Sequence, residues 1–180
     1  MKNFLLVIAL QMVVCYSGLH SQSQLKKIVD LSIAPVSAFK NSCSRCHGDE
    51  GSAYGKGFAD MRDDSLRSIV EDMMFGPGGL NPDSAEVNAM IAYNKSLKSK
   101  TPFAAALNSK SFLEGKSNYL QVEVSPDTKL EVADTGIKID GEQNVRRLYF
   151  DPQKVKTLEI TVKKNNFTAG LNFPAELWTR

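Results

Sequence analysis

At 180 residues, the chain is long enough for one domain or two small ones. Its 22 basic and 20 acidic residues leave a formal charge of +2, and this near-balance gives no indication of a nucleic-acid partner. With only three cysteines and two histidines, the chain lacks the second C-x-x-C or the downstream histidine pair that a structural zinc site requires.

The N-terminus has the pattern of a secretory signal peptide, which we predict over residues 1–21. A short positive start, Met1-Lys2-Asn3, precedes an apolar run from Phe4 to Val14 that is too short to be a good membrane span. The chain is therefore expected to be exported. An alternative for Cys15 is lipidation, which would give a lipid anchor, although Met12-Val13-Val14 lacks the small residue expected before a lipidated cysteine.

The most informative stretch is Cys43-Ser44-Arg45-Cys46-His47, a C-x-x-C-H motif. Two thiols at this spacing can each add to one vinyl group of a haem, and the histidine that follows can bind the iron. A thioredoxin-like redox pair would instead follow a strand and open a helix. A structural disulfide would close an unusually small ring. We predict one covalently attached haem c, with Cys43 and Cys46 as thioethers and His47 as the proximal iron ligand.

Residues 22–100 are predicted to be mainly helical. A helix that begins near Pro35 carries the C-x-x-C-H motif at its end. A second helix is expected from Asp63 to Phe75, because its apolar residues recur every three or four positions. A third is expected to start at Asp83-Ser84, after a loop rich in glycine and proline.

This part of the chain resembles a class I (monohaem) c-type cytochrome. The resemblance rests on Phe39 in the helix before the motif, on Gly48 and the glycine-rich loop after it, and on a final helix ending Ala92-Tyr93-Asn94-Lys95-Ser96-Leu97. It covers roughly residues 30–100. It implies that an aromatic residue of the first helix, here Phe39, packs near one of the last helix, here Tyr93. It also implies that a methionine sulfur from the loop before the last helix is the second axial ligand of the iron.

The chain departs from this family at the second axial ligand. The loop from Gly76 to Pro82 contains no methionine, and residues 101–180 contain no Met, His or Cys. The candidates are Met74 first, with Met73 and Met61 as alternatives and Met90 as a more typical core residue. Core methionines with a five-coordinate or lysine-bound iron remain the alternative.

The remaining chain is predicted to change character. Residues 101–118 are expected to form a linker, with a short helix or irregular structure around Ala104-Ala105-Ala106, and residues 119–180 a β-rich region. Alternation and turn residues predict five strands: Leu120–Val124, Leu130–Val132, Ile137–Ile139, Val145–Phe150 and Leu158–Val162. The predicted fold class is a mainly α cytochrome c-like haem domain, residues 22–100, followed by a small antiparallel β-rich C-terminal region (α+β overall).

The expected function is that of an exported monohaem c-type cytochrome, located in the bacterial periplasm. It would carry single electrons between redox protein partners that are periplasmic or membrane-bound, as an electron-transfer protein rather than an enzyme. Two alternatives remain. One is an exported haem enzyme or small-ligand sensor with an open or displaceable sixth iron position. The other is the haem subunit of a larger oxidoreductase.

Overall fold

The computed structural model describes residues 30–58, 60–151, 153–155 and 157–174, without the side chains of Lys56, Phe173 and Pro174. The predicted signal peptide and the candidate lipid anchor at Cys15 lie outside the described residues. Within the described part of the chain, no helix combines the length and apolar character needed to cross a membrane.

The C-x-x-C-H motif ends a continuous helical run over residues 35–47, which we call the motif helix. It consists of helix α1 (Pro35–Ala38), a π-helical turn (Phe39–Cys43) and helix α2 (Ser44–His47). Pro35 suits the first position because a helix leaves that N–H unpaired in any case. This single π-helical turn ends at Cys43, the first residue of the motif, and such turns are frequent at functional sites.

Two longer helices follow a 3-10 turn (Lys56–Phe58). Helix α3 (Asp63–Phe75) has the predicted bounds, and Asp63 and Asp64 place negative charge in its first turn. Helix α4 (Ser84–Ser99) is capped by Asp83, whose carboxylate accepts hydrogen bonds from Ala85 and Glu86, while Glu86 accepts one from the Asp83 N–H. Both predicted helices are confirmed.

The rest of the chain forms strands and one short helix. They are β1 (Ala104–Ala106), α5 (Ser109–Leu113), β2 (Leu120–Val124), β3 (Lys129–Val132), β4 (Lys138–Asp140), β5 (Val145–Tyr149), β6 (Thr157–Lys164) and β7 (Phe167–Pro174). One antiparallel sheet has the order β1-β2-β5-β4, and the other has the order β3-β6-β7. Residues from both sheets share one apolar core, which includes Val122, Leu148, Leu158 and Ile160.

The predicted fold class, a mainly α cytochrome c-like haem domain with a small β-rich region, is wrong. Helices account for only 35% of the described residues, which also contain seven strands in two antiparallel sheets. The helical core is not built from helices alone, because Phe103 and Ala105, which lie outside the helices, pack in it beside Phe39 and Tyr93. Tertiary contacts between helices and strands are not visible in local sequence patterns.

Two details account for much of this error. The segment Ala104–Ala106, predicted as a short helix or irregular linker, is a strand because each of its residues pairs with β2. That pairing outweighs the helix propensity of alanine.

Strand β7 was not predicted at all, although Asn165, with φ 54°, occupies the two-residue turn that joins it to β6. A two-residue loop with a residue of positive φ is typical of a β-hairpin.

Candidate functional site

The motif helix ends sharply after His47. The Gly48 N–H donates to the Ser44 carbonyl at 2.7 Å, and Gly48 has φ 75°, a left-handed conformation that favours glycine. A Cβ on Gly48 would also lie 2.2 Å from the Ser52 Oγ. The chain then turns back, since the Ala53 N–H donates to the His47 carbonyl at 3.0 Å. Glycine is therefore needed for the return of the chain past the histidine.

Both motif cysteines are free thiols. Cys43 is half-buried and packs against the helical core, whereas Cys46 is exposed. Burial, and secondly the nearby Cys46, raise the pKa of the Cys43 thiol above its usual value. Both thiols are therefore free to react with a partner group.

The imidazole of His47 lies against an aromatic pair. Its ring centroid is 4.9 Å from that of Tyr54, which in turn stacks on Phe58 at 4.3 Å with an interplanar angle of 7°. The Tyr54 hydroxyl donates to the Asn94 Oδ1 at 2.8 Å, so helix α4 holds this ring in place. Burial, and secondly the nearby Cys43, raise the pKa of Tyr54 well above its usual range. The histidine therefore sits in an apolar, aromatic setting.

The aromatic pair expected behind the motif is present. The rings of Phe39 and Tyr93 are 5.5 Å apart with an interplanar angle of 81°, an edge-to-face arrangement, and this prediction is confirmed. Phe103, from the segment before β1, extends the cluster at 5.2 Å from Tyr93. The motif helix is thus fixed against α4 by rings on its buried face.

The candidate sixth ligands occupy different environments. Met74 is 1% exposed in the helical core, Met73 directly before it is 46% exposed, and Met61 is partly buried against the same core. Met90, the fourth methionine considered, is also 1% exposed. Met74 as the distal ligand, with Met73 and Met61 as alternatives, stays a prediction.

A buried carboxylate that the sequence did not reveal fixes the start of the motif helix. Glu123 of β2 is fully buried and accepts hydrogen bonds from the backbone N–H groups of Val36 at 2.8 Å and Ser37 at 2.9 Å. Glu123 occupies a polar position in the alternating pattern of β2, and such positions face solvent in a sheet with one solvated face. It is buried because the motif helix covers that face of the sheet.

The donor groups of the motif fit a covalently bound haem. Two unpaired thiols and an imidazole stand at the end of one helix, next to the rings of Tyr54 and Phe58. Among the described residues, no three His, Cys, Asp or Glu side chains cluster in a way that could hold a metal ion.

The chain matches no family model, and no significant match is found among curated proteins or solved structures.

Proposed function

We propose that this chain is an exported monohaem c-type cytochrome that carries single electrons between redox partners. The observation that carries the proposal is the C-x-x-C-H motif with both thiols unpaired at the end of the motif helix. The resemblance to class I c-type cytochromes rests on this motif and on the Phe39–Tyr93 pair. The fold class does not support it.

Each motif residue has a distinct role in this proposal. Cys43 and Cys46 would hold one haem c through thioether bonds, and His47 would be the proximal ligand. The bound haem would supply a one-electron redox centre. The Tyr54 ring lies against the imidazole and stacks on Phe58, and its hydrogen bond to Asn94 holds the Tyr54 ring in place. An aromatic contact of this kind alters the polarity around the proximal ligand, and that polarity is one lever on a reduction potential.

The start of the motif helix is positioned by the first sheet. The Glu123 carboxylate accepts hydrogen bonds from Val36 and Ser37, two turns or more before the histidine. A helix held at its N-terminus by a buried acceptor keeps a defined position against α4. The geometry of the thiols and of His47 therefore depends on the sheet as well as on the helices.

Met74 remains our first candidate for the sixth ligand, with Met73 and Met61 next. Methionine together with histidine would keep the iron six-coordinate and raise its potential, which suits electron transfer. The partners would be redox proteins in the periplasm or at a membrane, as the predicted signal peptide at residues 1–21 suggests.

A second function is favoured by one specific observation. The Met74 side chain is 1% exposed among core residues of α3, α4 and the motif helix, and a ligand role would require it to leave that packing. If neither a methionine nor a lysine binds the iron, the sixth position is open. The chain would then be an exported haem enzyme or a sensor of a small ligand.

The optical spectrum of the haem-loaded protein, with and without carbon monoxide, distinguishes these functions. We expect a low-spin ferrous spectrum that carbon monoxide does not change, and a weak far-red ferric band from sulfur-to-iron charge transfer. The variants Met74→Leu, Met73→Leu and Met61→Leu keep core volume, so loss of that band in one of them identifies the ligand. A high-spin spectrum that shifts with carbon monoxide would instead establish the open site and contradict the simple electron carrier.

A further inference from the structure

Three of the edge strands in the two described sheets have features that discourage pairing with another chain. Strands β1 and β4 at the edges of the first sheet have only three residues each. Strand β3, at one edge of the other sheet, carries Lys129 and Glu131, and Glu131 also binds Lys163 of β6. Short length and charged side chains are the usual means by which proteins protect sheet edges.

The fourth edge strand, β7, has neither feature. It extends over eight residues, Phe167–Pro174, and contains no charged residue. Among the described residues it pairs only with β6. Phe167, at its start, is 49% exposed. A long, uncharged edge strand presents a row of unpaired backbone groups on which another strand can be added.

The register of the β6–β7 hairpin shows which backbone groups lie on the free edge. Lys164 and Phe167 flank the two-residue turn and are directly opposite each other, so they form a hydrogen-bonded pair. Hydrogen-bonded and non-hydrogen-bonded pairs alternate from there. The N–H and C=O groups of Thr168, Gly170 and Asn172 therefore point away from β6, and all three residues are exposed.

We propose that the free edge of β7 binds the same edge of a second copy of this chain, as an antiparallel pair with Gly170 at the two-fold axis. In this register Thr168 faces the partner's Asn172, and each outward N–H meets a C=O group. Such an edge is complementary to itself under a two-fold rotation. Since β7 has no charged residue, no like charges oppose each other along the pair, and the end of the partner strand covers part of Phe167.

This pairing ends at two copies. The joined sheet has the strand order β3-β6-β7-β7-β6-β3, so that both of its outer edges are β3 strands with Lys129 and Glu131. The interface lies on the sheet that does not contain β2, the strand whose Glu123 binds the motif helix. The inference goes beyond the proposed electron transport and does not depend on haem attachment.

Light scattering of the purified full chain at increasing protein concentration tests the proposal. We expect the mass to rise to twice that of one chain and no higher. Gly170→Pro removes the outward N–H at the axis, leaves the groups that bond to β6 in place, and should keep the mass of one chain. Gly170→Ala is the matched control, because it keeps the N–H and its Cβ meets only the Ile160 carbonyl oxygen, at 3.9 Å. It should form the same dimer as the parent protein.

Cysteine cross-linking tests the register without the proline variant. Each variant is made in a chain whose own three cysteines are replaced by alanine. Gly170→Cys places the two copies of residue 170 opposite each other, with Cα atoms about 5.5 Å apart, a separation that a disulfide can span. Thr168→Cys places its two copies four residues apart along the pair, roughly 14 Å, beyond the reach of a disulfide. We expect a covalent dimer from Gly170→Cys only.

Four results would each overturn the proposal. They are a single-chain mass of the parent protein at every concentration, growth beyond two copies, a dimer of folded Gly170→Pro as stable as that of the parent, and equal cross-linking by Gly170→Cys and Thr168→Cys. Failure of haem attachment would appear separately, in the optical spectrum.

Discussion

Ser37 and Glu123 are 86 positions apart in the chain, yet the backbone N–H and the hydroxyl of Ser37 both donate to one carboxylate oxygen of Glu123. The other oxygen accepts from the Val36 N–H. The start of the motif helix is thus bonded to the second strand of the first sheet. The predicted helical domain ends at residue 100 and the predicted β-rich region begins at residue 119. This connection joins the two at the helix that carries the cysteines.

We predict that Glu123→Gln lowers the free energy of unfolding by about 1–3 kcal/mol, because the amide nitrogen cannot accept a hydrogen bond and leaves a buried backbone N–H unpaired. Urea denaturation followed by circular dichroism measures this loss. Glu159→Gln, an exposed change on β6, is the matched control and should stay within about 0.5 kcal/mol of the parent protein. Equal stability of both variants would show that the Glu123 connection does not stabilise the fold.

Acid pH should weaken the connection between Glu86 and the segment before the motif helix. One Glu86 oxygen accepts from the Ser32 N–H and hydroxyl and from the Ile33 N–H. Burial alone would raise the pKa of Glu86, but these hydrogen bonds and the one from the Asp83 N–H outweigh it and hold the pKa below its usual 4.5. A lowered folded-state pKa gives stability that is present above the unfolded value and is lost as pH falls through the folded value.

Unfolding of Glu86→Gln and of the parent protein, measured by urea titration from pH 7 to pH 3, tests this linkage. The parent protein should be the more stable of the two at pH 7. The difference should shrink below pH 4.5, the usual Glu value, as Glu86 takes up a proton. A difference that stays constant over this range would contradict the assigned direction of the pKa shift.

The neighbouring methionines of α3 should respond very differently to truncation. Met74→Ala removes a side chain that is 1% exposed and should cost about 2–5 kcal/mol, because it leaves a cavity in the helical core. Met73→Ala, at a side chain that is 46% exposed, should change stability by no more than about 0.5 kcal/mol. Thermal unfolding of both variants checks the contrast. Similar losses would mean that Met73 is covered in the folded protein.

Two tyrosine-to-phenylalanine variants give a further comparison. Tyr54→Phe removes the donor to the Asn94 Oδ1, and because Asn94 is 5% exposed, the loss should cost about 1–3 kcal/mol. Tyr93→Phe removes a hydroxyl that bonds no described residue, so it should be close to neutral. Chemical denaturation of the two variants side by side measures the difference. A larger loss for Tyr93→Phe than for Tyr54→Phe would contradict the assigned hydrogen bonds.

Local sequence patterns predicted the elements that depend on local chemistry. Helix α3 begins at Asp63 and ends at Phe75 as expected, since acidic residues and a following glycine mark its ends. Strand β2 also has its predicted bounds, Leu120–Val124. The spacing of the thiols and His47 needs no tertiary information, because the residues are adjacent in one helix.

The parts that were not predicted depend on long-range contacts. Strand β1 consists of alanines and exists because it pairs with β2. Glu123 is buried because the motif helix covers an outward-facing position of its strand. The fold class was wrong for the same reason: helical periodicity does not show that strands complete the helical core. Tyr54 was missed as a partner of His47 because it lies in a loop without periodicity.

Covalent attachment of one haem is tested most directly by the mass of the intact chain under denaturing conditions, after expression with the c-type cytochrome maturation machinery. We predict the mass of the processed chain plus one haem, with the pigment retained through acid extraction. The double variant Cys43→Ala, Cys46→Ala, expressed identically, should have the mass of the bare chain. A parent protein with the bare-chain mass, under conditions that load a known c-type cytochrome, would contradict the role of Cys43-Ser44-Arg45-Cys46-His47.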